Sequence, residues 1–236
     1  MLMPPKAWVD LTIEVITMLQ RHPSNANLCL NAAPTFNGLA LQVKHLPMAD
    51  EYLQALYNTM HKALADYPRV LAFRVDPVIP TTISDRMRPE DHKGLIARFI
   101  ASLKAIIKHD RESKRQAGWV PDTKVRYVWC REVGLNGKPH YHFFFLLNRD
   151  AYHMPGKAGS QNENLISRVS RAWYSALGIM WNPQEPWVHV PDNPYYWIDR
   201  GDLTSFEQAF TRASYLCKTN TKQYGLGVRA FGTSRH

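Results

Sequence analysis

Cysteine is scarce in this sequence of 236 residues, which contains three: Cys29, Cys130 and Cys217. Because the number is odd and the three positions are far apart, we expect neither a disulfide framework nor a Cys-x-x-Cys zinc site. The cysteines are therefore predicted to be small core residues.

Long apolar runs are also missing. No run reaches the roughly 18 residues that a membrane-spanning helix needs, and the first ten residues lack the charged head and apolar centre of a secretory signal. Internal repeats, low-complexity tracts and a G-x-x-x-x-G-K-[ST] loop are absent as well, so no helicase motor is predicted. We expect a cytoplasmic protein with no membrane partner.

Acidic residues are outnumbered, since 20 Asp and Glu stand against 29 Lys and Arg, giving a formal net charge of +9. This balance favours an anionic partner such as nucleic acid, but it does not identify one by itself. A hydrophobic content of 45% is sufficient for a genuine core.

The pattern of the chain changes near residue 68. Before it, residues 11–21 and 51–67 have helical periodicity, and the polar stretch 22–50 is predicted to be loop. After it, the predicted elements are a strand at 69–79, a helix at about 89–116, strands at 124–132 and 140–148, a helix at about 164–177, strands at 186–190 and 195–199, and a helix from about 204 past Lys218. This order predicts an α+β fold, an antiparallel sheet with flanking helices, in a domain of residues 69–236 that follows an N-terminal helical extension of residues 1–68.

His140 and His142 are two residues apart in a predicted strand, so their side chains share one face. Glycines and an asparagine within residues 134–137 suit a hairpin turn that returns Glu132 to the histidines. Two imidazoles and a carboxylate suit Mn²⁺, and Mg²⁺ if substrate phosphate oxygens complete the shell. We therefore predict an open metal site formed by His140, His142 and Glu132.

A bare His-x-His pair is also compatible with ordinary half-exposed strand residues, and this alternative stays open. The strand continues through apolar residues 143–147, which should be buried on both faces, so the histidines lie where the core gives way to an opening. Asp76, at the end of the strand that begins at residue 69, could approach the same point or bind the water shell of the metal. It could equally be a turn residue before Pro77.

The last predicted helix carries an apolar stripe that should face the core: Phe206, Ala209, Phe210, Ala213 and Cys217. Tyr215 lies nearly opposite this stripe with Lys218 beside it, and Lys222 joins them if the helix continues. Burial does not explain an aromatic residue there. A nucleophilic phenol does, because neighbouring ammonium groups favour the phenolate. The alternative is a surface tyrosine that covers a neighbouring loop.

Taken in order, these features resemble the HUH endonucleases, whose replication initiators carry a first strand motif, a His-hydrophobic-His strand and a Tyr-x-x-Lys helix. The matching segments are LAFRVDP (residues 71–77), PHYH (139–142) and YLCK (215–218). The segments YVWCREVGLNGKPHYHFFFLLN and SYLCKTNTKQYGLGVRAFGTSR are similar to the YagK/YfjJ family of cryptic prophages, which is related to the replication proteins of inovirus-like phages. The resemblance covers about residues 69–235.

The resemblance implies an HUH/RRM-like βαββαβ core in which the histidines bind Mg²⁺ or Mn²⁺ and the tyrosine helix packs alongside. It implies that Tyr215, helped by Lys218, attacks a phosphodiester in single-stranded or hairpin origin DNA and forms a 5′-phosphotyrosyl link. Such an enzyme would initiate rolling-circle replication with a host helicase and polymerase. Relaxases place tyrosine before the histidines, so the order here favours a replication initiator with a single tyrosine at its motif.

Four cationic side chains are expected to contact nucleic acid: Arg74, Lys138, Lys222 and Arg229. Bases could stack on some of six aromatic residues, of which at least half should be core: Tyr141, Trp173, Trp187, Tyr195, Tyr196 and Trp197. Two other functions stay open. A catalytically silent nucleic-acid-binding regulator needs neither metal nor Tyr215, and a metal-dependent nuclease that uses water leaves no covalent adduct.

Overall fold

The computed structural model describes residues 20–88, 91–134, 137–160, 162–225 and 227–235. The helix predicted over residues 11–21 lies outside them except for its last two positions. The helices are α1 (Asp50–Asp66), α2 (Thr81–Ser84), α3 (Asp91–Arg115), α4 (Leu165–Leu177) and α5 (Leu203–Ser214). The strands are β1 (Gln20–His22), β2 (Asn25–Asn31), β3 (Thr35–Phe36), β4 (Leu39–Ala40), β5 (Met48–Ala49), β6 (Arg69–Pro77), β7 (Arg126–Val133), β8 (Pro139–Asn148), β9 (Val188–His189), β10 (Tyr195–Asp199) and β11 (Phe231–Thr233). Single 3-10 turns occupy Val43–His45 and Tyr215–Cys217.

The main sheet of the described chain has six strands in the order β10-β6-β8-β7-β11, with β9 paired to the end of β6. All of these pairings are antiparallel. Along the chain, β6, α3, β7, β8, α4 and β10 follow the predicted order of strand, helix, strand, strand, helix and strand. The predicted α+β fold with an antiparallel sheet and flanking helices is confirmed.

Strand β8 separates two cores, because its side chains alternate between the faces of the sheet. Phe143 and Phe145 pack in the first core with α3 and α4, while Phe144 and Leu146 pack in the second core on the opposite face. All four are fully or almost fully buried, as expected for a strand covered on both sides.

The second core is covered by α1 and α5. The apolar stripe predicted on the last helix is buried here, and Leu53, Leu56 and Met60 of α1 pack in the same core. Cys130 and Cys217 are buried in it as small residues, and Cys29 is buried elsewhere, as predicted. Residues on both sides of position 68 therefore build one core.

Gln20 and Arg21, the described end of the helix predicted over residues 11–21, lie in β1 instead. The structure corrects two further predictions of secondary structure. The stretch 22–50 was expected to be loop, but it contains short strands, of which β1, β2 and β5 form a three-stranded sheet. The last helix was expected to pass Lys218, but α5 ends at Ser214. Where α5 ends, Nε2 of Gln42 donates hydrogen bonds to the carbonyls of Thr211 and Arg212. In a continuing helix these carbonyls would accept from backbone N–H groups of the next turn.

No helix among the residues that the structure describes combines the length and apolar character needed to cross a membrane.

Candidate functional site

The pairing of β7 with β8 places Glu132 directly opposite His140 and Cys130 directly opposite His142. Side chains directly opposite each other in an antiparallel pair lie on the same face, with Cβ atoms about 4.5–5.5 Å apart. Both histidines and Glu132 therefore share the face of the second core, at the end of the sheet. This agrees with the predicted return of Glu132 to the histidine strand.

Strand β6 adds Arg74 and Asp76 to the same end of the sheet. Nε and Nη2 of Arg74 each donate to the Asp76 carboxylate at 2.9 Å, and Oδ1 of Asp76 lies 2.9 Å from Nδ1 of His142. Nη2 of Arg74 also lies 3.1 Å from Nδ1. Although burial lowers the pKa of His142, the bond to Asp76 raises it, which favours the protonated ring whose Nδ1 donates to Asp76. Nε2 of His142 then faces Oε2 of Glu132 at 3.4 Å. The approach of Asp76 to the histidine site, one of two alternatives at the sequence level, is thus observed.

Tyr215 lies against this cluster. Its ring centroid is 5.4 Å from that of His142, and Nζ of Lys218 donates to its hydroxyl oxygen at 2.6 Å. The same Nζ is 2.9 Å from Oε2 of Glu132. The guanidinium carbon of Arg74 lies 4.4 Å from the ring centroid. The tyrosine and the histidine strand, which are far apart in sequence, therefore meet in one site, and Tyr215 remains partly exposed there.

The segment before α1 forms one wall of the site. The ring of His45 contacts Tyr215, Met48 bridges to Lys218, and Oγ1 of Thr219 donates to the Pro47 carbonyl at 3.1 Å. We did not predict a functional role for these residues, and no motif in the sequence indicates one.

Two of the four cations expected to contact nucleic acid are internal. The side chain of Lys222 is 0% exposed, and its Nζ donates to the carbonyl of Lys218 and lies 3.7 Å from Oε1 of Glu132. Arg74 is buried between Asp76 and Tyr215. Neither side chain lies on the surface as expected, because Arg74 pairs with the buried carboxylate of Asp76 and Lys222 lies beside that of Glu132.

The other two expected cations are closer to the surface. Lys138 is partly exposed and lies 3.0 Å from Asp85, and Arg229 is exposed. Both remain accessible to an anionic partner.

The two carboxylates of the cluster are held in their charged forms. Burial raises the pKa of Glu132, but the hydrogen bond from His142 and the charge of Lys222 outweigh burial and leave it far below its usual range. Burial also raises the pKa of Asp76, and the hydrogen bonds from His142 and Arg74 bring it below its ordinary value.

The pKa values of the two cationic partners of these carboxylates, His142 and Lys218, are raised. Burial lowers the pKa of His142, but its bonds to Asp76 and Glu132 leave it raised. Burial lowers the pKa of Lys218, while its bonds to Tyr215 and Glu132 raise it overall. Lys218 is therefore an ammonium group at neutral pH.

The cluster is electropositive, because among the described residues its three cations, Arg74, Lys218 and Lys222, face two carboxylates, those of Asp76 and Glu132. A phosphate group suits this balance of charge.

The side chains predicted to bind the metal are suitable types of ligand, but their present positions do not form a complete metal site. Within the described ranges, no three His, Cys, Asp or Glu side chains form a group that could hold a metal ion as they stand. Yet Nε2 of His142 and Oε2 of Glu132 are 3.4 Å apart, and two ligands that share one ion lie roughly 3.0–3.4 Å apart. The ammonium of Lys218 now occupies that oxygen of Glu132.

Four of the six aromatic residues considered for base stacking pack in or against the two cores, as expected, and Trp187 and Tyr196 are the two that are partly buried there. Tyr141 and Trp173 are buried in the first core. Tyr195 and Trp197 of β10 are 37% and 41% exposed and have ring centroids 6.0 Å apart. These two side chains are therefore the ones most accessible to bases.

Comparison with known proteins gives one family match, in which the model of the YagK/YfjJ C-terminal domain covers residues 31–234. This match begins within the segment before α1. The chain is 34% identical to the uncharacterized protein YfjJ of Escherichia coli (strain K12), over 78% of this chain and 93% of the relative. It is 35% identical to the uncharacterized protein YagK of the same organism, over 72% of this chain and 85% of the relative. The search of solved structures gave no significant match.

Proposed function

We propose that this chain, which belongs to the family of the YagK/YfjJ C-terminal domain, cuts and rejoins single-stranded DNA with Tyr215 as its nucleophile. One observation carries the proposal: the Tyr215 hydroxyl accepts a hydrogen bond from buried Lys218 while its ring lies beside His142. An HUH/RRM-like core is part of the proposal. The strand order β10-β6-β8-β7 supports it, because it reads 4-1-3-2 in a βαββαβ unit.

Lys218 activates Tyr215 by keeping a positive charge beside the phenol oxygen. Because its pKa is raised, Lys218 donates a proton in a hydrogen bond and does not serve as the general base. The ammonium stabilises the phenolate, and the phenol proton passes to solvent. Arg74, stacked on the ring, adds a second positive charge beside the developing phenolate.

The transfer step exchanges one phosphodiester bond for another. The phenolate oxygen of Tyr215 bonds to phosphorus, the bond from phosphorus to the 3′-oxygen breaks, and that oxygen takes a proton from water. The products are a 5′-phosphotyrosyl link and a free 3′-hydroxyl. Because the new ester conserves the bond energy, attack by a 3′-hydroxyl reverses the step and rejoins the strand.

A divalent ion, Mg²⁺ or Mn²⁺, would be held by His140, His142 and Glu132 and, when bound, supplies a Lewis acid that polarises a non-bridging phosphate oxygen. Lys218 would then exchange its contact with Glu132 for the phenolate and the phosphate. Asp76 would keep His142 in the tautomer that leaves Nε2 directed at Glu132.

The biological setting that follows is initiation of rolling-circle replication of a phage or prophage element in the cytoplasm. The free 3′-hydroxyl would prime a host polymerase, and a host helicase would supply unwinding. The DNA substrate would be a single strand or an extruded hairpin at the origin.

The test uses labelled single strands tiled across the DNA that flanks the gene, incubated with the protein and Mn²⁺ or Mg²⁺. We expect a covalent protein–DNA adduct on a denaturing gel with the wild type and none with Tyr215→Phe, which should still bind the strand. Tyr224→Phe is the matched control and should form the adduct, because its hydroxyl contacts Tyr52 outside the cluster.

Two results would overturn the proposal. Binding of these strands with no cleavage in either metal would favour a catalytically silent HUH-fold nucleic-acid-binding regulator. Cleavage that leaves no adduct and survives Tyr215→Phe would favour a nuclease that uses water.

A further inference from the structure

Arg131 occupies the other face of the sheet from the Tyr215 cluster. It precedes Glu132 in β7 and pairs with Tyr141 of the first core, so its side chain points away from Glu132. Arg131 is 5% exposed and lines a cavity of about 350 Å³ with His92, Lys138 and other residues.

The guanidinium of Arg131 lacks partners where an arginine usually has them. Its Nε and Nη2 atoms are buried and make no hydrogen bond with any residue that the structure describes. The same edge of Arg74 grips the carboxylate of Asp76, and that of Arg111 grips Asp110. Leaving buried donors of a charged group unsatisfied is costly, so a fold that keeps them indicates a ligand that completes them.

The charges around the cavity point to an anion. Asp85 is the one acidic residue among its described lining residues, and it is 3.0 Å from Lys138. His92 bonds through Nδ1 to the Tyr141 hydroxyl at 2.8 Å, and burial, followed by the positive charge of Arg131, lowers its pKa. The described lining residues of the cavity therefore offer Arg131 no carboxylate other than that of Asp85, which already pairs with Lys138.

We propose that this cavity binds a phosphate group of a nucleic-acid strand, with the Nε and Nη2 edge of Arg131 as its main ligand. The planar fork of arginine matches two phosphate oxygens. A strand is favoured over a free ion because the cavity is larger than one phosphate needs and because Gly137 and Gln223 among its lining residues are exposed. Because this edge is buried, the proposal requires the lining side chains to move aside when the strand binds.

The position of the cavity indicates how a strand would run. Arg131 and Glu132 are neighbours in β7, so the cavity and the Tyr215 cluster lie at the same end of the sheet on opposite faces. A strand that passes around the hairpin between β7 and β8 would contact both. The site itself needs no cleavage, and this proposal goes beyond the function proposed above.

The experiment compares Arg131→Met and Arg131→Lys with the wild type, all carrying Tyr215→Phe and kept in EDTA so that cleavage plays no part. The probes are a short oligothymidylate, thymidine monophosphate and inorganic phosphate, each measured against chloride at equal ionic strength. Arg126→Met is the control, because Arg126 is a buried arginine of the same strand that pairs with Asp66 at the other end.

We expect Arg131→Met to bind the oligonucleotide roughly tenfold more weakly, Arg131→Lys to lose part of that affinity, and Arg126→Met to bind as the wild type does. Without ligand, Arg131→Met should melt no lower than the wild type, because it removes an unsatisfied buried charge, whereas Arg126→Met should melt lower.

Equal oligonucleotide affinity in the wild type and both Arg131 variants would overturn the proposal. A second result would also overturn it. If phosphate or thymidine monophosphate stabilises the protein only when Arg131 is present, while oligonucleotide binding is the same without Arg131, the ligand of the cavity is a small molecule. If Arg131→Met melts far below the wild type, the Arg131→Lys variant provides the test. An unchanged affinity of Arg131→Lys for the oligonucleotide would contradict the requirement for the planar guanidinium. These outcomes are independent of whether the wild type cleaves DNA.

Discussion

The imidazole of His45 packs edge-on against the ring of Tyr215, with the two ring centroids 4.7 Å apart. Burial, and after it the charge of Lys218, lowers the pKa of His45, so the ring is neutral at neutral pH. His45 therefore acts as a wall that holds the phenol in place and adds no charge to the cluster.

Replacing His45 should loosen the nucleophile. We expect His45→Ala to slow adduct formation by about tenfold with little change in DNA affinity, because misplacing a reacting group lowers the rate without removing binding contacts. Single-turnover adduct formation with excess protein measures this. The exposed His109 provides a control, His109→Ala, that should react at the wild-type rate, and an unchanged rate in His45→Ala would contradict the assigned role.

Replacing the two buried lysines, Lys218 and Lys222, should have different effects, the first on the rate of adduct formation and the second on the free energy of unfolding. Lys218→Met removes the donor to the phenol, so we expect adduct formation to fall by about 100-fold. Lys222→Met removes the donor to the Lys218 carbonyl and should lower the free energy of unfolding by about 1–3 kcal/mol. Adduct kinetics and urea unfolding should be measured for both, and a Lys218→Met protein that reacts normally would rule out phenolate stabilisation by this residue.

His140 offers a test for metal that avoids the ion pairs of the cluster. It lies opposite Glu132, and among the described residues no ion pair or side-chain hydrogen bond of His140 is present. We expect Mn²⁺ to raise the melting temperature of the wild type and His140→Ala to lose most of that rise, because a bound ligand stabilises only the state that binds it. The exposed His153 supplies the control, and His153→Ala should keep the full rise. Equal rises in both variants would mean that the ion binds elsewhere.

Asp110 should make stability depend on pH in the acid range. Burial raises its pKa, but hydrogen bonds from Tyr152, Arg111 and Lys114 and the charge of Arg168 lower it to about 2. A depressed carboxyl pKa contributes stability that is complete above about pH 4 and is lost as the pH falls through 2. Between these values the wild type should lose on the order of 1 kcal/mol more than Asp110→Asn, measured by urea unfolding. Parallel pH profiles of the two proteins would contradict this.

Local rules were sufficient for most strands and helices from β6 to α5, but not for the short helix α2 or the end of α5. They were also sufficient for the shared face of Glu132, His140 and His142. Alternation in strands and periodicity in helices depend on neighbours in the chain, so a single sequence reveals them. The burial of Arg74 could also have been predicted, because alternation in β6 places it on the face of Asp76.

Other parts of the site depend on contacts between distant segments. Gln42 meets the end of α5 and His45 meets Tyr215 only after the chain has folded, so no pattern in the sequence predicts either. The position of Lys222 was misjudged for the same reason: extending the helix past Lys218 placed its ammonium outside, whereas the turn after Ser214 folds it onto Glu132.

The neighbouring charges of Arg131 and Glu132 have a consequence for how β7 can pair. A slip of one residue against β8 would exchange the faces of the two side chains, turning a carboxylate toward the aromatic rings around Phe143 and a guanidinium toward Lys218. Either change brings a charge into surroundings that repel or desolvate it. Opposite charges at adjacent positions thus discriminate against mispaired hairpins, and they select the alignment on which both faces of the sheet depend.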